Sequence, residues 1–265
     1  MQTLCLIIPC YNEAERLPVH IIRQFITTHP YTTLCLVNDG SQDDTLAKIT
    51  MLSQESPDQI WAYNLPYNQG KAEAVRQGML HVHSQKHFNY VGFFDADMAT
   101  PLQQIDYFRH FCEGTFTHSL IIGSRIKRLG AKIERSALRH YLGRIFSTVA
   151  SIILQLPVYD TQCGAKLVKA ELVPALFGEP FLSKWLFDIE LFARLSGHVG
   201  RQKVLTEVME IPLQIWLEKG DSRLKTRDLI RVFPELYKIH RKYKADRKKA
   251  ARKAEAVPSQ DTGSG

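Results

Sequence analysis

Two carboxylates, Asp95 and Asp97, stand one residue apart directly after the apolar run YVGFF at 90–94. Carboxylates this close repel each other unless a cation lies between or beside them, and hard oxygen ligands suit Mg²⁺ or Mn²⁺. Such an ion completes its coordination with water and the phosphates of a nucleotide. A structural alternative is helix capping, because Pro101 begins a predicted helix shortly afterwards. The position at a strand end favours the metal and phosphate interpretation.

Two other polar segments also lie at the ends of predicted elements and could bind a ligand. Asp39 lies in NDGS (38–41) at the end of an apolar run, where an acidic side chain can bind a base or ribose, although these residues also suit a plain turn. Lys71 follows Gly70 at a predicted helix start, which favours an anion. Lys71 taken alone is more typical of a solvated helix residue than of a ligand, and no Walker A pattern is present.

Alternating strand and helix patterns must position these side chains. Predicted strands cover 4–9, 34–38, 60–65, 90–95 and 119–124, and predicted helices cover 14–28, 43–55, 70–85 and 101–113. Such alternation predicts an α/β fold, a mainly parallel sheet with helices on both faces. Because ligands bind beyond the carboxyl ends of parallel strands, the polar ends of four strands, including GSR at 123–125, should meet at one rim.

The second half of the chain has a weaker pattern. A helix is predicted over 187–195, and the alternation over 204–216 predicts a strand added in the antiparallel sense. Residues 138–158 have the pattern of an amphipathic helix, which suits either packing on the sheet or contact with a membrane surface.

Length and charge define the domain organisation. The chain has 265 residues, 45% of them hydrophobic, which is enough for one large core. Residues 225–265 contain 12 Lys and Arg against 5 Asp and Glu, whereas residues 1–224 contain 22 of each. We therefore predict a neutral domain at 1–224, a basic helix at 225–254 and a disordered tail at 255–265. No aromatic residue follows Tyr243 among these bases, so we expect no specific nucleic-acid partner.

Cysteine use and hydropathy bear on location. Five cysteines without CxxC spacing are typical of a reducing cytosol. The first apolar run is too short for a signal peptide, and we expect no membrane-spanning helix. The helix at 138–158 and the basic tail together predict a cytoplasmic protein bound peripherally to the inner face of the cytoplasmic membrane.

Six segments, in this order and spacing, resemble the family-2 inverting glycosyltransferases, whose GT-A fold is a Rossmann-like nucleotide-diphospho-sugar transferase fold. They are PCYNE (9–13), VNDGSQDDT (37–45), NQGKAEAVRQG (68–78), DADM (95–98), GSR (123–125) and DTQCGAK (160–166). DTQCGAK, WLFDIE (185–190) and WLEKGDSRL (216–224) are most similar to dolichyl-phosphate β-glucosyltransferases, and next to dolichyl-phosphate mannose synthases.

The resemblance implies a nucleotide-sugar donor, UDP-glucose or GDP-mannose with UDP-glucose favoured, and a polyprenyl phosphate acceptor. It implies donor-binding roles for Pro9, Tyr11, Glu13, Asp39, Lys71, Asp95 and Ala96. It implies catalytic roles for Asp97, Asp188, Arg125 and Arg139. Asp95 and Asp97 would hold Mg²⁺ or Mn²⁺, and the two arginines would bind phosphate groups. Asp188 and Glu190 match the acidic group that the family places near the acceptor.

The acceptor decides whether Asp188 is catalytic. A phosphate monoester is largely anionic near neutral pH and needs no general base, whereas a hydroxyl acceptor would make Asp188 the candidate base. A third interpretation of Asp188 and Glu190 is a helix first turn, where acids interact well with the dipole. Transfer to a soluble hydroxyl acceptor and nucleotide-sugar binding without catalysis stay open as alternative functions.

Three positions depart from the family pattern. Asn38 stands where an acidic residue is common, Ala99 stands where mannose synthases have Gln, and Ala165 replaces Phe in a GFK motif. The first change removes one charge beside Asp39. The other two predict a thinner metal shell and more space near the acceptor.

Overall fold

The computed structural model describes residues 2–85, 87–113, 117–134, 137–218 and 234–244. Its strands are β1 Leu4–Cys10, β2 Thr32–Asp39, β3 Ile60–Leu65, β4 Tyr90–Phe94, β5 Leu120–Ser124, β6 Lys132–Glu134, β7 Ala165–Lys169, β8 Val208–Pro212 and β9 Ile215–Leu217. Seven of them form one sheet in the order β3-β2-β1-β4-β7-β5-β8, and β6 and β9 pair separately.

Helices cover both faces of this sheet. They are α1 Val19–Thr28, α2 Thr45–Glu55, α3 Lys71–Ser84, α4 Ile105–His110, α5 Ala137–Leu154, α6 Val173–Phe177, α7 Phe187–Val199, α8 Arg201–Glu207 and α9, residues 234–244. Side chains alternate along β1, so that Cys5 and Ile7 pack with α3, α5, α6, α7 and α9, while Leu4 and Leu6 pack with α1, α2 and α4. This confirms the predicted α/β architecture.

The first four strands confirm the predicted parallel half-sheet. β1 lies between β2 and β4 and is parallel to both, and β2 is parallel to β3. The carboxyl ends of β1, β2 and β4 therefore lie at one edge of the sheet, with that of β5 at the same edge. We call this edge the rim.

A strand inside the DTQCGAK motif was missed. β7 is the antiparallel strand of the sheet, lying between β4 and β5, and its first residues enter from the rim. Its sequence AKLVK has two lysines in five residues, so it lacks the β-branched pattern of the other central strands. The tertiary position overrides this weak local preference, and Lys166 is fully buried there.

The prediction of an antiparallel strand over 204–216 is wrong. The segment begins inside α8, continues as β8, which pairs with β5 in parallel, and ends in β9. Val204 packs into the core from a helix, so its apolar character did not indicate a strand. β8 is an edge strand and ends at Pro212, a residue that has no backbone N–H to donate.

Two predicted helices are shorter than expected. Pro18 precedes α1, which starts at Val19 rather than at residue 14. The helix predicted over 101–113 is a 3-10 turn, Leu102–Gln104, followed by α4. In both cases a proline fixes the chain before the first full helical turn, since its ring restricts φ and removes a donor.

The helix predicted over 138–158 exists as α5, and only part of its apolar stripe packs on the domain. Phe146, Val149 and Ile153 pack against the core. Ser147 is buried, whereas Ile145 and Ile152 are 60% and 70% exposed. Within the described part of the chain, no helix is both long and apolar enough to cross a membrane.

The predicted basic helix is described only over 234–244. There Leu236, Ile239 and Tyr243 are buried in the core, so this part of the extension packs on the domain. The remainder of 225–254, and the tail predicted as disordered at 255–265, lie outside the described residues.

Candidate active site

The Asp95-Ala96-Asp97 segment forms a tight turn at the rim, directly after β4. The Met98 N–H donates to the Asp95 carbonyl over 3.1 Å, and the Ala99 N–H donates to Asp97 Oδ1 over 2.9 Å. Met98 adopts a left-handed φ of 50°, which bends the chain sharply. Ala96 is buried in the core, so the turn holds both carboxylates on a fixed backbone.

Gly164, just before β7, lies against the Asp95 carboxylate. A Cβ at this position would overlap both oxygens of Asp95. Only glycine leaves room for the carboxylate here, because any side chain would displace it. The DTQCGAK segment therefore forms one wall of the Asp95 site.

Lys71 forms an ion pair with Asp95 Oδ1 from the first residue of α3. Burial alone would lower the pKa of the Lys71 ammonium, but the carboxylates of Asp95, Asp188 and Asp97 raise it above its ordinary value. That Lys71 helps to bind an anion stays a prediction. Its charge is balanced by carboxylates that reach the rim from two other elements.

Asp188 comes to the same region from the first turn of α7 and pairs with Lys166. Lys166 Nζ lies 2.6 Å from Asp188 Oδ1 and 2.6 Å from the Cys163 carbonyl oxygen. The Lys166 ammonium also lies 5.4 Å from the centre of the Phe93 ring. Burial raises the pKa of Asp188, although the Lys166 and Lys71 ammonium groups oppose this shift.

Asp39 binds the loop in front of α3. Its carboxylate accepts hydrogen bonds from the Gln69 N–H at 2.8 Å, the Gly70 N–H at 2.9 Å and the Asn68 side chain at 3.0 Å. Burial raises the pKa of Asp39, and the two backbone donors oppose this shift. These three bonds use most of the acceptor capacity of a carboxylate, so a ribose or base contact stays a prediction.

The end of β1 lies beside the loop after β2. Asn12 accepts from the Gln42 N–H at 2.9 Å, and its own N–H donates to Ser41 Oγ over 3.0 Å. The buried Glu13 backbone is tied to Thr45 Oγ1 at 2.8 Å. Pro9 and Tyr11 are partly exposed at this end. Tyr11 and Glu13 therefore lie on a loop that is cross-linked to the loop after β2, while Pro9 lies in β1.

Arg125 is already engaged by a residue that the sequence analysis did not select. Its Nε and Nη2 donate to the two oxygens of Asp160 over 2.7 and 2.8 Å, and its N–H donates to the same carboxylate. Burial opposes ionisation of Asp160, but the guanidinium lowers its pKa to about 2. Phosphate binding by Arg125 stays a prediction, and the side chain of Arg139 lies outside the described residues.

Glu190 has a structural position away from the rim. Its fully buried carboxylate accepts from the N–H groups of Leu182 and Ser183 at 3.1 and 2.9 Å and from Tyr243 Oη at 3.0 Å. Glu190 thus joins α7, the preceding loop and α9. Of the two acids that the sequence analysis placed near the acceptor, only Asp188 lies with the rim residues.

The rim residues fit a hard divalent cation that is only partly held by protein. Within the described part of the chain, no group of three or more His, Cys, Asp or Glu side chains is arranged to enclose a metal. Asp95 and Asp97 supply two carboxylates, which matches the way Mg²⁺ is held by one or two acids plus substrate phosphates. The Asp95 side chain is 35% exposed, so its carboxylate is accessible from the rim.

The sequence analysis did not select Lys166, Asp160 and Gly164, which contact the predicted site residues Asp188, Arg125 and Asp95. All three lie in DTQCGAK, which was used only as a family motif. The available signal was an aspartate and a lysine flanking a glycine in one short segment. Their partners Arg125 and Asp188 lie 35 and 22 residues away in the chain, so no local pattern could pair them.

Comparison with known proteins identifies relatives at the family level. Residues 5–173 match the model of Glycosyl transferase family 2. A dolichyl-phosphate beta-glucosyltransferase from Trichomonas vaginalis is 32% identical over 88% of this chain and 69% of its own length. The dolichyl-phosphate beta-glucosyltransferase of Saccharomyces cerevisiae is 27% identical over 91% of this chain and 75% of its own length.

Solved structures support the same fold. Glucosyl-3-phosphoglycerate synthase from Mycobacterium tuberculosis, in complex with Mn²⁺ and UDP-glucose, aligns with a TM-score of 0.64 at 16% identity, over 90% of this chain and 79% of that one. Mannosyl-3-phosphoglycerate synthase from Rubrobacter xylanophilus aligns with a TM-score of 0.66 at 14% identity, over 100% and 79%. These neighbours are GT-A glycosyltransferases, so the expected fold is confirmed.

Proposed function

The chain belongs to glycosyltransferase family 2, and from this premise we propose that it transfers glucose from UDP-glucose to a polyprenyl phosphate, with inversion at the anomeric carbon. The names of the curated relatives support the sugar and the acceptor class. The UDP-glucose bound by a structural neighbour supports the donor. The observation that carries the proposal is the ion pair of Lys71 with Asp95 at the rim, with Asp188 close enough to act on the same ammonium.

The donor is proposed to bind along the rim from β1 to β4. Pro9, Tyr11 and Glu13 would line the nucleoside pocket, and Asp39 would orient the loop at Gly70 whose helix start favours phosphate. Lys71 would exchange part of its contact with Asp95 for the diphosphate. Negative charge builds on the leaving diphosphate during transfer, and a positioned ammonium stabilises that charge.

Asp95 and Asp97 are the proposed ligands of a divalent cation, Mg²⁺ or Mn²⁺. When bound, this ion would supply further positive charge to the leaving diphosphate. The buried Ala96 and the turn at Met98 fix the backbone between the two carboxylates.

The acceptor phosphate is proposed to attack without a general base. Asp188 is paired with the buried Lys166, so its charge is already compensated and its proposed role is to fix that lysine and the wall at Cys163. A phosphate monoester is largely ionised near pH 7, since its second pKa is about 6. Arg125 has Nη1 outside its bidentate pair with Asp160, and Arg139 is the second proposed phosphate ligand.

The test is to incubate the protein with radiolabelled UDP-glucose, Mn²⁺ and polyprenyl phosphate, and to measure label in the organic phase. We expect a lipid-linked product whose glucose is β-linked, as inversion of an α-linked donor requires. Label only in water-soluble glycan would favour a hydroxyl acceptor instead. GDP-mannose, run in parallel, tests the donor assignment.

We also propose peripheral contact with a membrane at the cytoplasmic face. Tyr141, Ile145 and Ile152 expose an apolar stripe on α5. The neighbouring α9, which lines one small cavity together with α5, exposes Lys238, Arg241, Lys242 and Lys244. Apolar and basic faces side by side suit an anionic lipid surface. Replacing Ile145 and Ile152 with Ser should reduce co-sedimentation with phosphatidylserine vesicles, while Leu129→Ser, in an exposed loop, should not.

A further inference from the structure

The loop between α6 and α7 holds two large apolar side chains in solvent. Leu182 and Trp185 are each 50% exposed, and the exposed Lys184 lies between them in sequence. Ser183 and Leu186, by contrast, are buried. We call residues 182–185 the LSKW segment. Large apolar side chains that are held together in solvent can mark a binding site.

The backbone of the LSKW segment is fixed by buried polar groups. Glu190 accepts from the N–H groups of Leu182 and Ser183. Ser183 Oγ accepts from the N–H groups of Trp185 and Leu186 at 3.2 and 2.8 Å and donates to the Glu235 carboxylate. The apolar side chains are therefore held outward by a hydrogen-bonded loop.

The segment lies beside the donor end of the rim. Lys184 Cδ is 3.7 Å from the position of a Cβ on Gly70, the residue that precedes α3. Its ammonium contributes to the field at Asp39. Among the described residues, none forms a hydrogen bond or ion pair with Lys184, whereas Lys71, Lys166 and Arg125 are each paired with a carboxylate.

We propose that the LSKW segment binds the acceptor, with Lys184 contacting its phosphate and with Leu182 and Trp185 contacting the first isoprene units of its chain. This inference rests on the proposed function and adds the subsite. The Lys184 ammonium is complementary in charge to the anionic phosphate of a polyprenyl phosphate. The apolar side chains on either side of it are complementary to the hydrocarbon chain. Its position next to Gly70 brings that head toward the proposed diphosphate site.

The experiment uses farnesyl phosphate below its micelle concentration and without vesicles, so that membrane contact cannot substitute for acceptor binding. Trp185→Ser should raise the KM for farnesyl phosphate about tenfold, with the KM for UDP-glucose unchanged. Lys184→Gln should also raise the KM for farnesyl phosphate about tenfold, and by a larger factor than the KM for UDP-glucose, since Lys184 lies beside Gly70. Matched controls are Tyr31→Ser, an exposed aromatic at the opposite end of the sheet, and Lys203→Gln on α8. Both should behave as the wild type.

A direct binding readout accompanies the kinetics. Farnesyl phosphate should shift the tryptophan emission of the wild type to shorter wavelength, and Trp185→Phe should lose that shift. If the wild type makes lipid-linked glucose while both LSKW variants keep the wild-type acceptor KM, the subsite is wrong and the proposed function stands. If the wild type makes no lipid-linked glucose from any polyprenyl phosphate, the proposed function is wrong and the subsite falls with it.

Discussion

Lys166 and Asp188 form an ion pair inside the protein, with Nζ and Oδ1 2.6 Å apart and side chains that are 0% and 6% exposed. Lys166 stands on β7 and Asp188 begins α7, so the pair joins the inserted strand to the helix that supports the LSKW segment. The same ammonium contacts the Cys163 carbonyl next to Gly164. One buried lysine thus connects the acceptor side of the site to the wall against Asp95.

Removing that lysine should destabilise the fold strongly. Lys166→Met leaves the Asp188 carboxylate buried without its partner, which typically costs about 3–5 kcal/mol of unfolding free energy. The Lys166→Met, Asp188→Leu double variant should recover a large part of the loss, because no charge is left buried. Urea unfolding of both variants measures this. A control is Lys203→Met on the exposed side of α8, and a Lys166→Met loss no larger than that of the control would contradict the argument.

The Arg125–Asp160 pair predicts a pH dependence of stability. The pKa of Asp160 is about 2 in the folded protein against an ordinary value of 3.8. A depressed carboxyl pKa stabilises the fold above pH 4, and this contribution is lost as the pH falls toward 2. The difference corresponds to about 2 kcal/mol. Asp160→Asn should therefore be less stable than the wild type at pH 6, with a gap that narrows toward pH 3 in urea unfolding. A difference in unfolding free energy that does not change with pH would show that the Arg125–Asp160 pair does not cause it.

Gly164→Ala should impair transfer more than folding. The new Cβ would overlap the Asp95 carboxylate and turn it away from Asp97 and Lys71. We expect kcat/KM to fall at least about tenfold, since a misplaced ligand costs well over 1 kcal/mol of transition-state stabilisation. The matched control is Gly197→Ala in α7, where a Cβ meets nothing within 4 Å. That variant should keep its activity and gain about 0.5–1 kcal/mol in stability. Equal activity in the two variants would show that transfer does not require glycine at position 164.

Asp97→Asn should abolish metal-dependent transfer and leave the protein folded. The amide retains the acceptor oxygen for the Ala99 N–H but loses the charge that a divalent cation requires. A loss of about a hundredfold or more is expected for a group acting on the leaving diphosphate. The assay titrates Mn²⁺ into enzyme treated with EDTA, with circular dichroism as the folding check and Asp58→Asn, an exposed acid before β3, as the control. Full activity in EDTA would refute the metal mechanism.

Much of the part of the site at the ends of β1, β2 and β4 could be predicted from the sequence. The apolar runs at 4–9, 34–38 and 90–95 predicted β1, β2 and β4, because a strand buried on both faces has to be apolar at nearly every position. The polar residues that interrupt these runs mark the strand ends, and parallel pairing puts those ends together. Asp39 and Asp95 were selected in this way, and Lys71 was selected from its position after Gly70 at a helix start.

The part of the site around Asp188 depends on contacts that only the folded chain makes. Asp188 and Glu190 are two residues apart in the first turn of one helix, yet one pairs with Lys166 at the rim and the other holds a loop and α9. Helical geometry turns neighbouring side chains to different faces, and what each face meets depends on packing.

The sequence by itself therefore determined the parallel half-sheet, its rim and the residue types available there. Buried strands appear in the sequence as apolar runs, and their ends appear as the polar residues that follow. Only the tertiary structure decided which charges are paired. β7 enters antiparallel between β4 and β5, and this insertion brings Lys166 to Asp188 and Gly164 to Asp95. Ion pairs between segments distant in the chain depend on the order of strands in the sheet, and no local pattern encodes that order.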